Sequence, residues 1–176
     1  MRILATIVFA LLASSSFAQR FGYIDTDYIL KKIPDFKKAE DEINQLSQAW
    51  ESEVREMSKS IDGMVANLKA EQVLLTDDMK RERELAIQKK ENELKEYQKK
   101  VFGFEGLYFL KKQELIKPIL DKIWDAADKV AKQNNLAIVF DKAGQLVMIY
   151  TDPRYDYTEF VLEALGLGDP NDTVKN

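Results

Sequence analysis

The chain has 176 residues, with 26 Lys and Arg against 30 Asp and Glu, a formal net charge of −4 and a pI near 5.1. That balance offers no overall basic surface of the kind a nucleic-acid or anionic-membrane binder needs. The absence of both His and Cys excludes His-based acid–base catalysis, His metal ligation, Ser-His triads and disulfides.

Residues 1–18 read as a secretory signal peptide. Arg2 gives the positive start, residues 3–13 a short apolar run, and Ser16-Phe17-Ala18 a small-x-small cleavage site. A membrane span needs about 20 apolar residues, so this run is too short for one. The mature chain is expected to begin at Gln19 and to be exported, and no Cys follows the cleavage site to take a lipid anchor. A strand follows over 21–25, then a short helix over 28–32 with Asp27 as its cap. Pro34 opens the next helix, where a first-turn proline is favoured, and Asp35 complements its dipole.

From Phe36 the apolar positions run Ala39, Ile43, Leu46, Trp50, Val54, Met57, Ile61, Met64 and Leu68 to Leu75. Steps of three and four mark a coiled-coil seam, with a stutter where Leu46, Trp50 and Val54 follow two fours. Continuing that register past Leu75 would bury Asp78, Glu82, Lys89 and Glu96, which desolvation forbids. A second register appears instead, in Ile87, Leu94, Val101, Tyr108 and Leu115, joined by Tyr97 and Phe104. Thr76 is a good N-cap and is followed by Asp77 and Asp78. The pattern therefore predicts an antiparallel helical hairpin with its tip at 71–76, Trp50 facing Tyr97 and Ile43 facing Phe104. A single unbroken rod is the alternative.

The return helix is apolar on more than one side over 101–110, which predicts burial on several faces. Gly103 and Gly106 lie in that stretch, and each weakens a helix by about 1 kcal/mol relative to Ala. They serve either close packing or a hinge. Pro118 should kink or restart the helix, which then runs on to Asn134-Asn135. Residues 136–141 and 145–151, around a turn at 142–144, read as a two-stranded hairpin. A final helix is expected from an Asp156/Glu159 capping box to Gly166, and then a polar tail, 168–176.

The fold class is thus α+β: a small β body (19–33 and 117–167) carrying a long helical-hairpin arm (34–116). Three short strands would leave open apolar edges, and closing the sheet with copies of itself removes them. This predicts an obligate homo-oligomer, an intersubunit barrel built through Ile24, Ile138, Phe140, Val147 and Ile149, although the same residues can serve as ordinary intrachain core.

The stretch Phe21-Gly22-Tyr23-Ile24-Asp25-Thr26-Asp27-Tyr28-Ile29-Leu30 with Pro34, and the stretch 154–165 beginning Arg154-Tyr155-Asp156-Tyr157-Thr158, resemble the two ends of the OmpH/Skp family of periplasmic chaperones. The likeness spans essentially the whole mature chain. It implies a jellyfish-shaped homotrimer, periplasmic and ATP-independent, whose arms enclose unfolded outer-membrane proteins. Such chaperones work without ATP, and the chain has no Gly-x-x-x-x-Gly-Lys-Ser/Thr loop for a nucleotide. No nucleophile, base and oxyanion constellation can be assembled from the sequence, so no enzyme is expected, and no cofactor, nucleic acid or membrane insertion. One departure is charge. Skp is strongly basic whereas this chain is mildly acidic, so no lipopolysaccharide or anionic-lipid site is carried over.

A holdase works through many weak contacts spread over a large surface. Val73, Leu74, Leu75 and Met79 at the tip, with the adaptable Met57 and Met64, are the candidate client contacts. The two methionines can equally be seam residues between the arms. Charge runs such as 80–84 read as solvated helix faces. Asp77 and Asp78 read as a helix cap rather than a metal site. A structural coiled-coil scaffold of the cell envelope is the alternative function.

Overall fold

The computed structural model describes residues 20–168. The expected signal peptide, 1–18, and residues 169–176 of the expected tail lie outside them. In chain order the elements are β1 (Arg20–Ile24), α1 (Thr26–Lys32), α2 (Pro34–Glu71), α3 (Asp77–Phe102), α4 (Leu107–Gln133), β2 (Leu136–Asp141), a 3₁₀ turn (Pro153–Tyr155) and α5 (Thr158–Ala164). They divide into two compact units: Ile33–Leu120, and the residues before and after that stretch.

In the unit Ile33–Leu120, α2 begins at Pro34 and runs for 38 residues, about 57 Å at 1.5 Å per residue. The chain reverses between Glu71 and Asp77, where the apolar phase changes. The Leu74 amide donates to Glu71 O at 2.8 Å, and Thr76 Oγ1 accepts from the Met79 amide at 3.3 Å as the N-cap of α3. Ala39, Ile43 and Ile61 of α2 and Ile87 and Val101 of α3 are buried. The rest of the seam, including Leu46, Trp50, Val54, Met57, Met64 and Leu68, is half-buried. Two helices enclose only the innermost positions of a stripe this wide.

Cross-hairpin contacts fix the register. The Tyr97 hydroxyl donates to Glu53 Oε2 at 2.5 Å, Arg83 pairs with Glu71 at 3.2 Å, and Lys111 of α4 pairs with Glu42 at 3.3 Å. Trp50 meets Phe102 edge-on at 6.4 Å, so it faces a residue about one helical turn beyond the expected Tyr97. Phe104 does not face Ile43. It is 96 % exposed in a turn between α3 and α4.

That turn corrects the expected continuous helix across 101–110. Gly103 closes α3 in extended conformation, its amide donating to Lys99 O at 2.9 Å, and Glu105 takes a positive φ of 53°. A Cβ on Gly103 would lie 2.2 Å from Lys99 O, and one on Gly106 would lie 2.6 Å from Val101 O. Both glycines are therefore demanded by close approach of the chain to its own backbone, not by a mid-helix packing contact. α4 then runs unbroken through Pro118. Burial of the stripe Ile119, Ile123, Ala126 and Val130 offsets the roughly 3 kcal/mol that an interior proline costs.

The other unit is organised by β1 and β2, which pair in parallel with Phe21 opposite Ile138 and Ile24 opposite Asp141. The Asp141 carboxylate accepts from Thr26 Oγ1 (2.6 Å), the Thr26 amide (3.2 Å) and the Ala143 amide (3.0 Å). Thr26 is thereby drawn into α1 as a buried residue, and Asp25, not Asp27, caps the helix through the Tyr28 amide at 2.9 Å. At the other end, Asp156 Oδ1 accepts from both the amide and the hydroxyl of Thr158, and Tyr157, not Asp156, stands at the N-cap of α5. α5 buries Val161 and Leu162 against a core that includes Tyr23, Ile24, Ile29 and Ile123, and Gly166 at φ 74° closes it.

The expected second strand of a C-terminal hairpin does not form. Residues 145–151 make no ladder with β2, although a turn is present, with the Gly144 amide on Asp141 O at 3.2 Å. Their apolar sequence supplies strand propensity, but a ladder needs a partner edge, and among the described residues only β1 and β2 pair.

Candidate functional surfaces

The two end motifs, some 130 positions apart in sequence, meet in space. Tyr23 bridges Asp156 in parallel, and the Tyr157 amide donates to Tyr23 O at 2.8 Å. The Asp25 amide donates to Thr158 Oγ1 at 3.0 Å, and Phe21 stacks on Tyr155 at 5.1 Å. The Tyr157 ring lies so close to Gly22 that a Cβ there would sit 2.4 Å from it.

Beside this junction is a cavity of about 430 Å³, lined by Phe21, Tyr23 and Phe140 of the strands, by Leu146, Met148 and Tyr150, and by Tyr155. Asp152 at its margin is held by Arg154, whose Nε lies 3.2 and 3.1 Å from the two carboxylate oxygens and whose terminal nitrogen lies 2.7 Å from one of them. The pair holds the Asp152 carboxyl below, and the Arg154 guanidinium above, its ordinary pKa. Val147 and Ile149 do not line the cavity and are 85 and 98 % exposed. Of the cavity-lining residues in this unpaired segment, Met148 is half-buried, while Leu146 and Tyr150 are exposed like Val147 and Ile149.

Of the residues expected to build an oligomer interface, Ile24 is spent in the chain's own core, while Phe140 is half-buried on the cavity and Ile138, Val147 and Ile149 are exposed. Leu146, Met148, Tyr150 and Tyr155 were not anticipated there. The run 146–150 carries no sequence signal for them, because every residue in it is apolar.

On the hairpin, Val73 and Leu74 are 85 and 82 % exposed, Met79 is exposed, and Leu75, Met57 and Met64 are half-buried. Leu85, not singled out from sequence, is also exposed. The surrounding charges are engaged locally. Lys90 lowers the Glu93 pKa, Glu114 and then Glu42 raise that of Lys111, and the Glu53 bond, with burial, pushes the Tyr97 hydroxyl up to about 12. Among the described residues no cluster of three acidic side chains is placed to hold a metal ion, and no helix is long and apolar enough to cross a membrane.

The model of the family described as outer membrane protein (OmpH-like) matches residues 20–165. The chain belongs to the OmpH family. An uncharacterized protein of Aquifex aeolicus (strain VF5) is 25 % identical over 155 residues, covering 88 % of this OmpH-family chain and 91 % of the relative. Among solved structures, a crystal structure from Caulobacter crescentus CB15, named as a candidate outer membrane chaperone (OmpH-like), superposes with a TM-score of 0.65. Its sequence identity is 13 %, over 90 % of this chain and 89 % of that one. The shared fold is mostly helical with a small parallel two-stranded sheet.

Proposed function

We propose that this OmpH-family chain is a periplasmic, ATP-independent holdase. It binds unfolded outer-membrane proteins between the helical arms of a homotrimer and keeps them from aggregating. The observation that carries this reading is the exposure of Val73, Leu74, Met79 and Leu85 on a hairpin whose remaining surface is densely charged, in a chain matched by the OmpH model over 20–165. Isolated apolar contacts on a wet helical surface hold an unfolded chain weakly at each point and firmly in sum. They also let it leave without an energy source. Reversal of the chain between Glu71 and Asp77 disfavours the alternative of a continuous coiled-coil scaffold.

Trimerisation is supported by the unpaired segment 145–151 and by the apolar cavity beside it. An apolar segment that lacks a backbone ladder of its own can gain one by pairing with another copy. The test is to dilute a urea-denatured outer-membrane barrel protein with and without the mature chain and follow turbidity. Suppression at stoichiometric chain is expected. Unchanged aggregation across such additions overturns the holdase reading.

A further inference from the structure

We infer that the turn joining α3 to α4 is a primary docking face for client chains, and that it selects segments in which aromatic and acidic side chains alternate. This deepens the holdase reading and rests on it. Phe104 stands almost fully in solvent on a turn with little conformational freedom: Glu105 is held at φ 53°, and neither Gly103 nor Gly106 has room for a Cβ. Strained backbone that presents an apolar ring to water is a cost that folding alone does not repay. Phe102, Leu107, Phe109 and Leu110, all more than a third exposed, extend the apolar stretch on both sides of it, within the same compact unit.

The charge around this turn indicates the partner. Residues 95–117 carry six Lys against three Glu, in a chain whose net charge is −4. Lys111 is engaged by Glu42 and Glu114. Lys99 and Lys100 in the last turn of α3, and Lys112 in α4, are exposed and form no ion pair among the described residues. Glu105 is the one carboxylate inside the turn, and the excess of Lys over Glu in the flanking helices makes this apolar stretch complement carboxylates interspersed with apolar rings and repel a Lys-rich segment. The hairpin tip differs, because the exposed carboxylates of Asp77 and Asp78 adjoin its apolar residues.

The experiment uses the full mature chain and two fluorescent synthetic peptides that alternate Phe with Asp or Phe with Lys. At low salt the Asp peptide is expected to bind about tenfold more tightly, the difference shrinking as salt rises. F104S/F109S is expected to weaken it about tenfold, as loss of partial aromatic burial implies, whereas V73S/L74S leaves it unchanged. Circular dichroism checks that the variants remain folded. Independently, a photo-crosslinker at position 104 of the otherwise unaltered chain should label the Asp peptide, and one at position 74 should not. Equal binding of both peptides, unchanged affinity in F104S/F109S, or labelling from position 74 alone overturns the assignment. So does binding to phosphatidylglycerol vesicles that depends on Phe104 and Phe109 while the Asp peptide shows none. If F104S/F109S suppresses barrel-protein aggregation as well as the parent chain does, only the docking assignment falls. If the parent chain itself fails to suppress it, the holdase reading falls.

Discussion

Two glycines show how one residue type carries opposite energetics. Gly22 has the Tyr157 ring where a Cβ would go, whereas Gly63 in α2 has nothing within 4 Å. Gly22→Ala should cost about 1–3 kcal/mol by overpacking, and Gly63→Ala should add about 1 kcal/mol through helix propensity. Urea unfolding of the two variants beside the parent chain checks both signs. Tyr97 offers a titration test. Its hydroxyl pKa is pushed up to about 12 by the Glu53 bond, against about 10 in an unfolded chain. The unfolded state therefore loses this proton first as pH rises. The bond's stabilisation is complete below about pH 10 and is lost progressively toward pH 12. Tyr97→Phe should remove that part of the alkaline loss, read as the urea midpoint against pH.

Among elements, α3 depends on its first turn. Thr76→Ala removes the side-chain acceptor for the Met79 amide and should cost about 1 kcal/mol, seen as faster amide exchange confined to the tip. The hairpin was legible in sequence because two incompatible apolar registers meet at 71–76, and burying Asp78, Glu82 and Lys89 in one continuous seam was physically untenable. The break at 103–106 was not legible, since apolar residues on every side of 101–110 mask the loss of periodicity. Positive φ at Glu105 leaves no sequence mark either. Pro118 does not end the helix as a restart would, because the buried stripe following it outweighs one missing hydrogen bond. At 145–151, β propensity was plain, but pairing is a non-local property and no local pattern supplies it. The client and interface candidates were legible as apolar residues in polar surroundings; which of them the chain consumes in its own core, as it does Ile24, was not.

For the whole molecule, the proposed assembly turns on residues 145–151. Val147→Asp with Ile149→Asp should leave the helical hairpin intact by circular dichroism while lowering the mass measured by light scattering from trimer toward monomer, because paired edges cannot bury new carboxylates. A trimeric double variant would remove this segment from the interface. The junction of the two chain ends bears on biogenesis. Thr26 reaches Asp141 across 115 positions, and Asp25 reaches Thr158 across 133, so β1 cannot complete its contacts until the chain has been made through Thr158. The hairpin needs only neighbours made soon before or after it. Such a polypeptide, emerging N-terminus first, forms the local contacts of its hairpin early and closes the unit built on β1 and β2 last, so a nascent or prematurely terminated chain has its hairpin formed before β1 is paired.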